Sequence, residues 1–167
     1  PTRRSSDLTY TWKANGSLVG TGSTYVVTEA EVGQVITVEA RYTDGHGTNE
    51  MVASSATTAV TNVNDAPKFL KTTQLAAKTM YEDKTTNWVF DIFDVDSAMG
   101  SINVTVTSGN LAVLDPAAPG AVNWSIVDTS VPGTNKWTVT LTVVPLADAY
   151  GVVPVTVGIT DGQNSST

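Results

Sequence analysis

The chain has 167 residues, 41% of them apolar, with 16 acidic against 9 basic side chains and a net charge of -7. That length holds one large or two small domains. The charge argues against nucleic acid, whose phosphates need clustered Lys and Arg, and favours cations. With no Cys and a single His, His46, disulfides, cysteine nucleophiles and Cys- or His-rich zinc sites are excluded.

No run approaches the roughly 18 apolar residues of a membrane span, and no charged-then-apolar leader opens the chain. The expectation is that nothing in this stretch anchors or exports itself. Residues 1–7, "PTRRSSD", carry adjacent Arg3 and Arg4 without a strand pattern and resemble translated adaptor sequence. They are set aside as non-native.

From residue 8 the chain is rich in Thr and Val, β-branched residues suited to half-buried pleated surfaces. "LTYTWKA" (8–14) reads as a strand, "NGS" as a turn, and a second strand is expected at 24–28, before the "TEAEVG" turn. In "VITVEARYT", Ile36, Val38, Ala40 and Tyr42 alternate with Thr37, Glu39, Arg41 and Thr43, a strand with one wet face. "DGHG" then turns into "NEMVASSATTAVT", which closes the first domain. "NDAP" at 64–67 is a turn signal, followed by further strands punctuated by "PAAPG", "VPGTN" and "DGQN". "WTVTLTV" sets Trp137, Val139, Leu141 and Val143 against Thr, and "VPVTVGIT" repeats the pattern. Pro154 marks an edge or outward position there.

Two "TDG" tripeptides, at 43 and 160, each end a strand of matching pattern, which points to two tandem units. The fold class expected is all-β: two tandem Greek-key β-sandwich domains, immunoglobulin-like or cadherin-like, the first truncated at its N-terminus. The boundaries are 8–62 for the truncated domain, 63–67 for a linker and 68–167 for the second domain. At about 60 residues the first is near the lower limit of self-supporting cores.

"LTYTWKANG", "STYVVTEAEVGQVITVEARYTDGHG" and "VNDAP", in that order, resemble the immunoglobulin-like and cadherin-like tandem repeats of giant bacterial surface adhesins and repeats-in-toxin exoproteins. "YEDKTT", "FDIFDVDSAMGSINVTVTSGN" and "VTVGITDG" are similar to the cadherin-like repeat that often follows. The resemblance implies extracellular or cell-surface modules for adhesion or spacing, with neighbouring repeats, a cell-surface protein or a glycan as partners. It also implies Ca²⁺ at each junction between domains.

Ca²⁺ takes six to eight oxygens from carboxylates, amides and carbonyls. Strand order brings the "DVDS" loop, with Asp94 and Asp96, and the final turn, with Asp161, to the end of the second domain where Asn64 and Asp65 enter. The first domain contributes "TEAEVG", with Glu31 and next to it Glu29. Matched to the family pattern, the resemblance implies Asn64, Asp65, Asp94, Asp96, Asp161 and Glu31 as side-chain ligands, with the Val63 and Ala66 carbonyls completing the shell. A second half-site, Glu82, Asp83 and Asp148, is expected at the opposite end of the second domain.

"DVDSAM" departs from an EF-hand loop, since Ala98 and Met99 replace a ligand and the Gly. His46 lies in a Gly-rich hairpin tip with no Ser or Cys partner motif, so an enzyme is not expected. The alternative to a calcium-stiffened adhesin fragment is a carbohydrate-binding or accessory module of a secreted polysaccharide-degrading enzyme. Trp124 in "AVNWS" would then be the stacking platform.

Overall fold

A computed structural model describes residues 8–129 and 135–167. The segment 1–7 and most of the "VPGTN" turn lie outside the described residues. The chain divides into two units, Pro1–Val63 and Asn64–Thr167. Among the described residues there is no helix long and apolar enough to cross a membrane.

In the first unit, β1 (Thr9–Ala14) and β2 (Ser17–Thr21) form a hairpin around Asn15 and Gly16, whose φ angles are 47° and 85°. Asn-Gly suits a two-residue turn because both central positions need positive φ. β3 (Ile36–Thr43) pairs with β1, and β4 (Asn49–Ala53) pairs with β3, giving one sheet of order β2-β1-β3-β4.

The strand expected at 24–28 is not formed; the second strand is Ser17–Thr21 instead. The tight Asn-Gly turn folds the residues that follow it directly onto β1, whereas 24–28 has no ladder partner among the described residues. Val26, with 79% of its surface exposed, sits in that stretch. Pairing, not β propensity, makes a strand.

Trp12 is half-buried: its Nε1 donates to the Gly22 carbonyl at 2.9 Å and its ring stacks on Tyr25 at 6.1 Å. Among the described residues of this unit only Ala14, Glu31 and Ile36 are buried.

The second unit has two sheets. One has the order β5 (Lys68–Phe69), β6 (Thr86–Phe93), β9 (Lys136–Val143), β8 (Val122–Asp128). The other has the order β11 (Ser165–Ser166), β10 (Val155–Thr160), β7 (Asn103–Ser108). Labelled A to G along the chain, these are sheets ABED and GFC, the strand order of an immunoglobulin constant-type sandwich. The protein is therefore all-β, and its second unit is an immunoglobulin-like sandwich.

Period-2 alternation builds the core between those sheets. Trp88, Phe90 and Ile92 of β6 pair with Leu141, Val139 and Trp137 of β9, and Val143, Ile102, Val104, Leu114 and Ile159 complete the cluster. Thr138, Thr140 and Thr142 take the other face of β9. The Trp88 indole N–H, which burial would leave unpaired, donates to the Ala76 carbonyl at 3.0 Å.

Candidate metal centre

The second unit gathers three segments at one end: residues 64–67 leading into β5, the loop from Asp94 after β6, and the 161–164 turn between β10 and β11. They are stitched together by side chains. Asn164 Nδ2 donates to the Asn64 carbonyl at 2.9 Å, and Ser166 Oγ donates to the Pro67 carbonyl at 2.6 Å. Asn64 Nδ2 donates to Asp161 Oδ2 at 2.7 Å, and the Asp65 N–H donates to Asp96 Oδ2 at 2.5 Å. Pro67 is buried and has no N–H to satisfy, and its carbonyl is taken by Ser166.

Each carboxylate divides its work. Asp161 Oδ1 accepts from the Gln163 and Asn164 N–H groups at 2.7 and 2.6 Å, closing the turn. The Asn164 N–H and then the Asn64 amide hold the Asp161 carboxyl below the usual carboxylate range, so it is ionised at neutral pH. Asp94 Oδ1 accepts from the Asp96 and Ser97 N–H groups at 3.0 and 2.9 Å and shapes the loop.

That leaves two oxygens. Asp94 is 1% exposed, and its Oδ2 has no hydrogen-bond partner; Asp96 Oδ1 is likewise buried and unpartnered. Asp65 brings a carboxylate oxygen within 4.8 Å of one on Asp96. A buried carboxylate oxygen without a donor costs several kcal/mol unless a cation faces it. Asp94, Asp96, Asp65 and Asp161, with the Asn64 amide, are hard oxygen donors of the type Ca²⁺ takes, although Asp94 and Asp161 do not share the close carboxylate spacing of Asp65 and Asp96.

Five of the sequence-nominated residues, Asn64, Asp65, Asp94, Asp96 and Asp161, thus meet within one unit. Glu31 lies in the other unit, 5% exposed, where its Oε2 accepts from the Thr28 N–H and hydroxyl, both at 2.8 Å. That is a capping box, and the Thr28 N–H foremost holds the Glu31 carboxyl below its ordinary range.

Glu82, Asp83 and Asp148 are exposed, with Asp83 and Asp148 in left-handed turn positions at φ 55° and 56°. Among the described residues these three do not come together within coordinating reach. Trp124 sits on β8 opposite Leu141, a buried residue of β9, so it shares the core-facing side of an edge strand and is 38% exposed.

Asn135, Asn164 and Ser166 are the residues that sequence reasoning missed. Asn164 ends an ordinary turn string and Ser166 lies on the short strand after it, and only the return of β11 beside β10 shows what their side chains reach.

No protein-family model matches the chain, and no curated protein matches it. Among solved structures it is similar to the ICAM-5 D1–D4 ectodomain fragment, at 14% identity and a TM-score of 0.39. The match covers 95% of this chain and 42% of that one, so the chain spans less than half of that structure's length. A likeness this loose adds nothing to the strand order, which is what assigns the fold.

Proposed function

We propose that this chain is a non-enzymatic, calcium-stiffened piece of a tandem β-sandwich array from a large bacterial surface or secreted adhesin, acting in adhesion or as an extracellular spacer. One observation carries the reading: Asp94 Oδ2 and Asp96 Oδ1, two residues apart in one loop, are both buried and unpartnered. Without a cation, Asp65, Asp94, Asp96 and Asp161 repel one another where residues 64–67 enter the sandwich. With Ca²⁺ bound, that repulsion becomes attraction and the entering segment is held. Stiffening of a repeat array at its domain entrances is the consequence.

Extracellular modules bind Ca²⁺ with a Kd of roughly 10⁻⁴ to 10⁻³ M, so millimolar external Ca²⁺ would load the site. At ten times Kd, binding to the folded state alone stabilises it by about 1.4 kcal/mol. The test is thermal unfolding of the whole chain in about 10 mM CaCl₂, ten times the weak limit of that range, against chelator. The sandwich should melt several degrees higher with Ca²⁺. Asp94→Asn should abolish the shift while staying at least as stable as wild type in chelator, because it removes a buried unpaired charge. A wild type indifferent to Ca²⁺ sinks the proposal.

A further inference from the structure

The two ligand-bearing residues of the 94–97 loop are separated by Val95, and the loop is held from outside by a residue that carries no charge. Asn135 stands one residue before β9, with its backbone in the left-handed region at φ 46°. Its carbonyl accepts from the Asp94 N–H at 3.2 Å, and its Nδ2 donates to the Val95 carbonyl at 3.0 Å. One residue therefore grips the Phe93–Asp94 and Val95–Asp96 peptide groups, one at each end of the Asp94–Val95 pair.

The consequence runs through Asp94. With its backbone fixed by Asn135, Asp94 Oδ1 reaches the Asp96 and Ser97 N–H groups, which curls the loop back on itself. Oδ2 is then the oxygen left without a partner, and the same curl buries Asp96 Oδ1. Were the Val95 carbonyl released, the Val95–Asp96 peptide could rotate. Asp96 Oδ1 would then turn to water, and the two oxygens would lose their common orientation.

We infer that Asn135 is a positioning residue for the cation site: it touches no ion but fixes the loop that presents Asp94 and Asp96. The inference rests on reading those two carboxylates as Ca²⁺ ligands. Its physical basis is general, since groups that orient metal ligands typically change metal affinity about 10- to 100-fold when lost. Both features of Asn are used here. Asn tolerates left-handed backbone better than other residues with side chains, and its amide supplies the donor.

Asn135→Gly separates these two features. Glycine accepts the left-handed backbone and keeps the carbonyl that holds Asp94, but it has no amide to hold Val95. Ca²⁺ titration calorimetry on the whole chain, with CaCl₂ as the probe, should show affinity about tenfold or more below wild type. In chelator the melting temperature should stay close to wild type. Amide exchange in chelator should quicken at Asp96 and Ser97 but not along β6 or β9.

Unchanged Ca²⁺ affinity in Asn135→Gly, with wild type binding and Asp94→Asn not binding, overturns the inference and leaves the Ca²⁺ reading standing. Loss of affinity together with collapse of the chelator melting temperature assigns Asn135 a structural role and also overturns it. A wild type that takes up no Ca²⁺ overturns both.

Discussion

The same tripeptide, Thr-Asp-Gly, ends a central strand in each unit, and the partners of its Asp differ between the two. In the first unit Asp44 Oδ1 accepts from the His46 and Thr48 N–H groups, both at 2.8 Å, and Oδ2 lies 4.0 Å from the exposed His46 ring. In the second unit Asp161 Oδ1 accepts from the Gln163 and Asn164 N–H groups, closing a turn one residue shorter, and Oδ2 takes the Asn64 amide of the entering segment. Local sequence lets an Asp close a turn in both units; a segment from nearly 100 residues away brings a further donor to one of them. The strands behave alike. β3 and β10 both alternate and each buries one apolar residue, Ile36 and Ile159, but Ile159, with Val155 and Val157 beside it, belongs to a core cluster shared with β6 and β9.

If the second sheet is what separates the units, removing its central ring should cost most. Phe90 is fully buried and packs against Phe69 at 5.6 Å. Phe90→Ala should destabilise the sandwich by about 3–5 kcal/mol. Hydrogen exchange resolved by segment should then lose protection across β6, β7, β9 and β10, while β1 to β4 keep theirs. Equal loss in both units would break the comparison.

Trp12→Ala is the matching cut in the first unit. It removes a half-buried indole, its bond to the Gly22 carbonyl and its stack on Tyr25. Partial burial and a ring pair together suggest about 2 kcal/mol. In a unit with so few buried side chains, that should release the β1–β2 hairpin amides without touching the sandwich. A cost as large as that of Phe90→Ala would mean the first unit has a core that the buried surface does not reveal.

How far such contrasts can be read from residues alone depends on range. Period-2 alternation located β3, β9 and β10, and the turn strings located the hairpins, because both are properties of neighbours. Asp94, Asp96 and Asp161 could be placed beside Asn64 and Asp65 because strand order alone decides which loops share an end of a sandwich. What was illegible is pairing. The stretch 24–28 has strand composition and no ladder, and "SLVGT" is a strand because Asn15 and Gly16 turn it back. Likewise nothing in "TNKW" announces that Asn135 holds a loop 40 residues earlier, since that contact exists only once β6 and β9 are in register.

The smallest expected effect bears on how each sheet keeps an acid on its polar face. Asp91 of β6 accepts from Gln74 Nε2 at 3.0 Å and Thr138 Oγ1 at 2.8 Å, and these neutral donors, Gln74 foremost, hold its carboxyl below the ordinary range. Glu39 of β3 is held low instead by ion pairs with Lys13 first and Arg41 second. The sign is the same for both. A carboxyl whose pKa is lower folded than unfolded stabilises the fold above its unfolded pKa, about 4 for such groups, and loses that contribution as pH falls through the folded value. Asp91→Asn and Glu39→Gln should therefore each differ from wild type at pH 7 and converge on it in acid. Salt should tell them apart, because exposed ion pairs are screened and bonds to neutral donors are far less so. At pH 7 the Glu39→Gln difference, read as exchange protection of β1 and β3, should shrink on going from low salt to about 1 M NaCl, where the Debye length falls to about 3 Å. The Asp91→Asn difference, read on β6 and β9, should persist. If both fade together, Asp91 depends on long-range charge such as Lys71 more than on the donors that touch it.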